Sequence, residues 1–424
     1  MQFELQAKVV INVESSNILG ITTSFLKSLA PIFTTMVSMV MFHYRDAYEK
    51  KGYITSLLSL EDGDSWCWKS KEGYNTITIN SLFGKIILPN PVVRIKKRDG
   101  HICSKVLGRK LLSVSPFCQI PDFMRQMLGS LGGLMSFRNV EKSMKVFGIF
   151  KVSLGSIWHC LQWSVSHLSI SLKEKTTTTN SVETIVLESD GTGVSTLKSG
   201  KRGSEIKVLM QRKENGHLHF LGVKVGKYSD KLDWEALFDD FKKGFSTLKN
   251  VVKKCILVAD GDTTVIDVFN NLFLNGKVFF QRCLWHIPHQ MKYMLWKDKA
   301  EITQKKHILN LTYSAFLLRK TVSAQEFKPY ILMKLNRIQE LIEECKNLGL
   351  NTCATFLQNA KKNAFVLGKA TTENRNTSLT ERAMRTIKQR TRYAVWSEKG
   401  AENAIKIRLN HFYNQNEIGL YFHT

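Results

Sequence analysis

Three carboxylates have the spacing and surroundings that could do chemistry. Asp190 and Asp260 each end an apolar run and precede a glycine, in LESDGTG and LVADGD. A carboxylate at the end of a buried strand projects from the sheet edge on a rigid support, and the glycine lets the chain turn sharply behind it. Glu381 opens a different pattern, SLTERAMRTIKQRTR. On a helix it shares one face with Arg385, Lys388 and Arg392, while Leu379, Ala383, Ile387 and Ala394 fall on the opposite face. Oxygen ligands of this kind suit hard divalent cations, and a pair of such ions stabilises both the attacking and the leaving oxygen at phosphorus. Each feature also has an ordinary reading. Asp-Gly makes simple turns, and a Glu followed by Arg one turn later can be a solvated pair worth about a few tenths of a kcal/mol.

The charge balance narrows the partner. Lys and Arg number 61 against 36 acidic residues, a formal charge of +25. Such an excess favours a polyanion, because basic side chains displace condensed counterions from phosphates. It does not by itself separate DNA, RNA and acidic membrane surfaces. With 424 residues, 43% of them hydrophobic, and only seven prolines, the chain can fill two or three cores. Its eight cysteines include no Cys-x-x-Cys pair, so neither a zinc ribbon nor a disulfide framework is legible, which suits a reducing compartment. The opening MQFELQ lacks the pattern of a secretory signal. The apolar stretch Leu29 to Phe42 is shorter than the ~20 residues of a membrane span, so a buried helix is expected there and no membrane partner.

The carboxylates need elements to position them. Residues 1–120 read as a mixed α/β region: a short strand, a helix through Tyr48, then β-rich sequence from residue 76, broken by Gly84 and by Pro89-Asn90-Pro91. Residues 121–172 read as helical and end in a helix-turn-helix. Ser136 and Ser153 are its caps, Val140, Met144 and Phe147 the stripe of the first helix, and Leu154, Ile157, Trp158 and Leu161 that of the second. An ordinary helical hairpin gives the same pattern; Lys142, Lys145 and Lys151 lean it towards DNA. The polar segment 173–181, KEKTTTTNS, reads as a linker. Residues 182–286 follow as three strands of a meander, a helix, a buried strand ending at Asp260, a second helix, and a strand ending in QRCLWH. That order is the order of a ribonuclease-H-like core. Residues 287–370 carry helical patterns only and read as a helical insertion. Residues 371–424 supply the last helix of the core and a C-terminal tail.

The set SDGTG, VADGD, QRCLWH and TERAMRTIKQR resembles the Mutator-like superfamily of DDE transposases and related bacterial insertion-sequence transposases. The resemblance covers about residues 183–410. In that superfamily a Cys-x-x-His signature follows the second aspartate after a helix and a strand, as Cys283-Leu284-Trp285-His286 does here. An all-helical insertion there separates the second acid from the third. The resemblance implies an α/β ribonuclease-H-like catalytic core with a long all-helical insertion, preceded by a mixed N-terminal region ending in a helix-turn-helix. It implies Asp190, Asp260 and Glu381 as catalytic ligands of two Mg²⁺ (or Mn²⁺) ions, with Cys283 and His286 structural or orienting beside them. Arg382 and Arg385 match the family's basic residues after the glutamate, and with Lys388 and Arg392 would contact DNA. Glu373 in TTENRN is a rival third acid, and Cys283, His286 and His289 are an alternative zinc set. The implied partners are transposon ends and target, both double-stranded DNA, gripped by a homodimer or larger assembly in a prokaryotic cytoplasm at the nucleoid. Two other functions remain open: a ribonuclease-H-fold nuclease that cuts without joining, and a domesticated or catalytically inactive DNA-binding copy.

Overall fold

The computed structural model describes residues 58, 60–68, 75–81, 84–90, 92–106, 119–146, 151–168, 170, 184–197, 203–213, 217–245, 254–272, 278–318, 322–366 and 380–414, with single positions between 24 and 39. The chain divides into two units, Met1–His167 and Leu168–Leu420. The 173–181 segment lies outside the described residues.

In the first unit the strands are β1 (Ser65–Trp68), β2 (Asn75–Ser81), β3 (Gly84–Asn90), β4 (Val92–Lys96) and β5 (Ile102–Val106). They form an antiparallel sheet β1-β4-β5 and a separate β2-β3 pair. Strand β3 runs through Pro89, whose missing N–H is tolerated in a two-stranded ribbon. The described positions between 24 and 39 are helical, as expected, but none is buried, and Phe25, Met36 and Met39 are exposed. That corrects the expectation of a buried helix. Apolar side chains favour burial, but only neighbouring elements supply the cover. Among the described residues no helix is long and apolar enough to cross a membrane.

Three helices follow, α1 (Asp122–Leu134), α2 (Phe137–Val146) and α3 (Leu154–Ser166). The serine caps sit where the sequence puts them: Asn139 N donates to Ser136 Oγ at 3.2 Å and Ser156 N to Ser153 Oγ at 3.0 Å. Val140 and Met144 of α2 share a core with Met124 and Leu128 of α1 and Ile157 and Cys160 of α3. A Cβ on Gly129 would lie 2.1 Å from Ser164 Oγ and 2.7 Å from the Cys160 carbonyl, so glycine lets α1 and α3 approach backbone to backbone. Phe147 and Gly148 lie outside the described residues. Lys142 and Lys145 on α2, and Lys151 three residues before α3, are exposed, whereas α3 itself carries no Lys or Arg.

The second unit is mixed α/β. Its strands β6 (Thr184–Val194), β7 (Ser204–Arg212), β8 (Leu218–Gly226), β9 (Lys254–Ala259) and β10 (Val278–Arg282) form one sheet in the order β10-β9-β6-β7-β8. The meander β6-β7-β8 is antiparallel, while β9 and β10 join parallel to β6. Helices α4 (Lys231–Phe245) and α5 (Thr263–Leu272) make the parallel crossings. Side chains alternate across a strand. Ile185, Leu187, Cys255 and Leu257 therefore face Trp234, Phe238, Val268 and Phe269 of α4 and α5. Val186, Ile256 and Val258 face the other way, onto Cys283.

Helices α6 (His286–Lys297), α7 (Ile302–Phe316), α8 (Ala324–Asn347) and α9 (Asn351–Lys362) follow β10 and close around a core of their own, with Ile287, Met291, Leu295, Ile308, Ile338, Leu341 and Leu357 at its centre. The described part of 287–370 is helical, as the sequence pattern predicts. The chain then returns as α10 (Thr380–Thr391), packed on β6, and α11 (Glu398–Tyr413), packed on β8. Helix α11 corrects the expectation of a C-terminal tail. Its signals were present: Ser397 accepts from Gly400 N at 3.1 Å as N-cap, and Ala401, Ala404, Ile405 and Leu409 recur at helical spacing and are buried.

Candidate metal centre

The register of β6 and β9 levels the two aspartates. Glu188 pairs with Val258, the last paired residues of the two strands, so Asp190 and Asp260 stand two residues further along neighbouring parallel strands. Asp190 does not end its strand as the sequence suggested. Strand β6 continues to Val194, paired by then with β7 alone, and leaves the β9 side of Asp190 open. Strand β9 ends at Ala259, and Asp260 begins the turn into α5.

That turn is braced on both sides. Gly261 adopts φ +100°, and a Cβ there would meet the Arg282 guanidinium at 2.8 Å. Arg282 donates through Nη2 to Gln290 Oε1 at 2.5 Å, and Gln290 Nε2 donates to the Asp260 carbonyl at 3.3 Å. On the far side Asp262 accepts from Thr264 N at 2.9 Å, capping α5, and from Ser229 Oγ at 2.9 Å. Ser229 N in turn donates to Glu205, which pairs at 3.2 Å with the fully buried Lys207.

Cys283 N donates to the Ala259 carbonyl at 2.6 Å, which ties the Cys-x-x-His turn to the end of β9 beside Asp260. His286, the first residue of α6, then reaches Glu381 on α10, Nε2 to Oε1 at 2.9 Å. Ligand atoms of Asp190, His286 and Glu381 all lie within 4.8 Å of one another, and among the described residues no other His, Cys, Asp or Glu set gathers so closely. The expected trio was Asp190, Asp260 and Glu381. The structure brings the first and third together with His286 and leaves Asp260 outside the group, its Oδ1 accepting from Asp262 N at 2.9 Å. The zinc alternative of Cys283, His286 and His289 is not such a group among the described residues. Glu373 lies outside the described residues.

The electrostatics follow from crowding. Asp190 is only 9% exposed. Burial pushes its carboxyl up to about 7; the His286 charge and the Gly191 N–H oppose the rise, while the Glu381 and Asp260 charges add to it. Burial works against a charged His286 ring. Contact with Cys283 and Glu381 and the Asp190 charge outweigh it and raise the ring to about 11. The bond to His286 holds Glu381 below the usual carboxylate range, against partial burial, with help from Lys388 and His289. The centre is therefore two acids and an imidazolium, with a third acid alongside.

No protein-family model matches this sequence, and no curated protein matches it.

One residue the sequence reading missed holds the arrangement together. Glu188 is fully buried two residues before Asp190, on the same face of β6. One of its carboxylate oxygens is gripped by Nε and Nη2 of Arg212 from β7. The other accepts from Thr380 N at 3.0 Å and Thr380 Oγ1 at 2.9 Å. Thr380 opens α10 immediately before Glu381, so one buried acid sets where the third carboxylate meets the first. An available signal was the lone acid inside the apolar run TIVLES, which a buried strand tolerates only when paired. Arg382, Arg385, Lys388 and Arg392 are exposed, as the helical face required, although α10 ends at Thr391 and Arg392 stands just beyond it. Arg390 departs from the stripe. It is buried with its guanidinium 4.5 Å over the Trp396 ring.

Proposed function

We propose that this chain is a DNA transposase of the DDE type, which cleaves phosphodiesters at transposon ends and joins the freed 3′-hydroxyl to target DNA. The reading takes the second unit as a ribonuclease-H-like core with a helical insertion. The observation that carries it is the meeting of Glu381, from the end of the chain, with Asp190, level with Asp260 on the next strand. The sheet order, the insertion's separate core and the exposed cations of α10 support it. So does the three-helix unit with exposed Lys142, Lys145 and Lys151, read as a DNA-binding helix-turn-helix.

A pair of Mg²⁺ or Mn²⁺ ions suits the donors, because Asp190, Glu381 and Asp260 are hard oxygen ligands, and a divalent cation would offset the burial that raises Asp190 together with the lesser push of the Glu381 and Asp260 charges. When bound, such ions lower the pKa of a water and stabilise the attacking and leaving oxygens at phosphorus. The protein's part is positioning. His286 donates to Glu381 and fixes the direction of that carboxylate, Glu188 fixes the helix that carries it, and Arg382, Arg385 and Lys388 hold the phosphate backbone in line. No side-chain nucleophile is required, since water and the 3′-hydroxyl attack in turn. DNA ends and target as partners, an oligomer bridging two ends, and a place at the bacterial nucleoid belong to the same proposal.

A second reading, a transposase-derived DNA-binding protein without catalysis, is favoured by one observation: Asp260 folds onto its own turn while His286 occupies Glu381. A supercoiled plasmid carrying the DNA that flanks the coding sequence separates the two. Cutting with Mg²⁺ or Mn²⁺ and joining, both lost in Asp190→Asn, Asp260→Asn and Glu381→Gln with binding kept, supports the transposase. Cutting without joining points to a nuclease, and binding without cutting to the inert protein.

A further inference from the structure

Helix α6 has two unlike faces. Ile287, Pro288, Met291 and Leu295 are buried in the core of the helical insertion. Opposite them, Trp285, His289, Lys292, Tyr293 and Trp296 follow the spacing i, i+4, i+7, i+8 and i+11, which gathers them on one side of a helix. Trp285 precedes the helix but already has helical backbone angles, φ −68° and ψ −38°, so it starts the row. Its ring stands 4.9 Å from that of His289, whose Nδ1 lies 2.9 Å from the Trp285 carbonyl. His289 in turn meets the edge of Tyr313 at 6.4 Å. Trp285 is 38% exposed, Tyr293 68% and Trp296 72%, and Lys292 and Lys297 are exposed beside them.

Large rings left in water are a cost unless something covers them. Here the ring row is interrupted by lysines, belongs to a chain of charge +25, and starts next to His286, in the acid centre. A purely apolar partner would leave Lys292 buried without a counter-charge. A strand of nucleic acid satisfies both demands, since every base has a face to stack and every linkage a phosphate for an ammonium. From Trp285 to Trp296 the row spans about 16 Å, room for roughly five nucleotides at about 3.4 Å each. A duplex buries its base faces, so the rings can be used only by unpaired bases.

We propose that the Trp285–Trp296 face of α6 is a stacking platform for unpaired nucleotides of a DNA strand leading from the acid centre. This deepens the reading of that centre as a DNA-processing site and rests on it for the identity of the strand.

The test is oligonucleotide binding by the full chain carrying Asp190→Asn, without metal. Anisotropy is followed with a labelled single-stranded deoxythymidine oligomer of roughly ten nucleotides and with a duplex of the same length. Tyr293→Ala and Trp296→Ala should each weaken single-strand binding about five- to hundred-fold while changing duplex binding little. Trp296→Phe should restore most of the loss, and Lys292→Met should reduce the salt slope by about one counterion. Single-strand affinity unchanged in both alanine variants overturns the proposal. So does a shift of oligomeric state in them without any binding change, which would assign the face to a second copy of the chain. Plasmid cleavage by the otherwise wild-type chain fails or succeeds independently. Cleavage with no effect of the ring variants sinks the platform alone; ring-dependent single-strand binding without cleavage sinks the transposase alone.

Discussion

Replacing Glu188 by Gln isolates the part played by the buried clamp beside the acid centre. The wild-type carboxylate is fully buried, as is Arg212, which pairs with it at 5% exposure. The amide introduced by Glu188→Gln would keep an acceptor for Thr380 but remove the charge that Glu188 sets against the buried guanidinium. Removing one partner of such a pair costs about 3–5 kcal/mol. For a domain whose total stability is about 5–15 kcal/mol, that is a large part of the whole, read as a lower urea midpoint at unchanged slope. The double substitution Glu188→Leu with Arg212→Met removes both charges, and apolar replacements of this kind are often neutral or better. Most of the lost stability should therefore return. If the chain cleaves DNA as proposed, cleavage should not return, because Thr380 N and Oγ1 have then lost the Glu188 carboxylate that sets the start of α10. A displacement of Glu381 by about 1 Å is enough to cost about a hundred-fold in rate. Thr380→Val checks the same link from the other side: it deletes one hydrogen bond to a charged acceptor, about 1.5–3 kcal/mol, and should slow cleavage without touching any charge. The assays are urea unfolding and metal-dependent plasmid nicking on the same preparations. Full nicking activity in the stable double variant would refute the claim that Glu188 positions Glu381. A Glu188→Gln protein as stable as wild type would refute the buried pair itself.

Three further outcomes follow from the structure. Asp190, held up at about 7 mainly by burial, keeps a proton in the folded chain that the unfolded chain releases near pH 4. Its contribution to stability should therefore fall as pH rises from about 4 to 7; metal-free Asp190→Asn should match wild type in urea midpoint at pH 4 and exceed it at pH 8, and parallel profiles would contradict this. Asp298 accepts from Thr352 N at 3.1 Å and Cys353 N at 2.8 Å at the start of α9; against the effect of burial, these bonds hold its carboxyl below the usual range. Asp298→Ala should cost about 0.5–2 kcal/mol at neutral pH, and the difference from wild type should vanish as pH falls through the lowered carboxyl value. Gly129→Ala places a methyl group against Ser164 Oγ and the Cys160 carbonyl, so a loss of about 1–3 kcal/mol is expected; circular dichroism melting should show it, and an unchanged melting temperature would mean that α1 and α3 do not touch there.

The sequence by itself determined most of the secondary structure of the second unit. The run ending before Asp260, the three-strand meander, the two crossing helices and the helical stretch after His286 are all local patterns of apolar spacing and turn residues, and the chain adopts them where they are written, except that the first strand runs past Asp190 to Val194. Serine caps at 136 and 153 were legible for the same reason, since a cap bonds to backbone within three residues of itself. Apolar content misled where the answer depended on cover from elsewhere, as in the helical positions between 24 and 39, which are not buried. Only the tertiary structure decided the centre. That Asp190 and Asp260 are level depends on the register of two strands that are far apart in the chain, and which ligands meet depends on where α10 lands on β6. Glu188, Arg212 and Thr380 set that landing from three separate elements. His286 enters the group because the turn after β10 is bonded to the end of β9. Local spacing constrains backbone angles within a few residues, whereas a metal-sized cluster requires sub-ångström agreement between segments that only packing brings together.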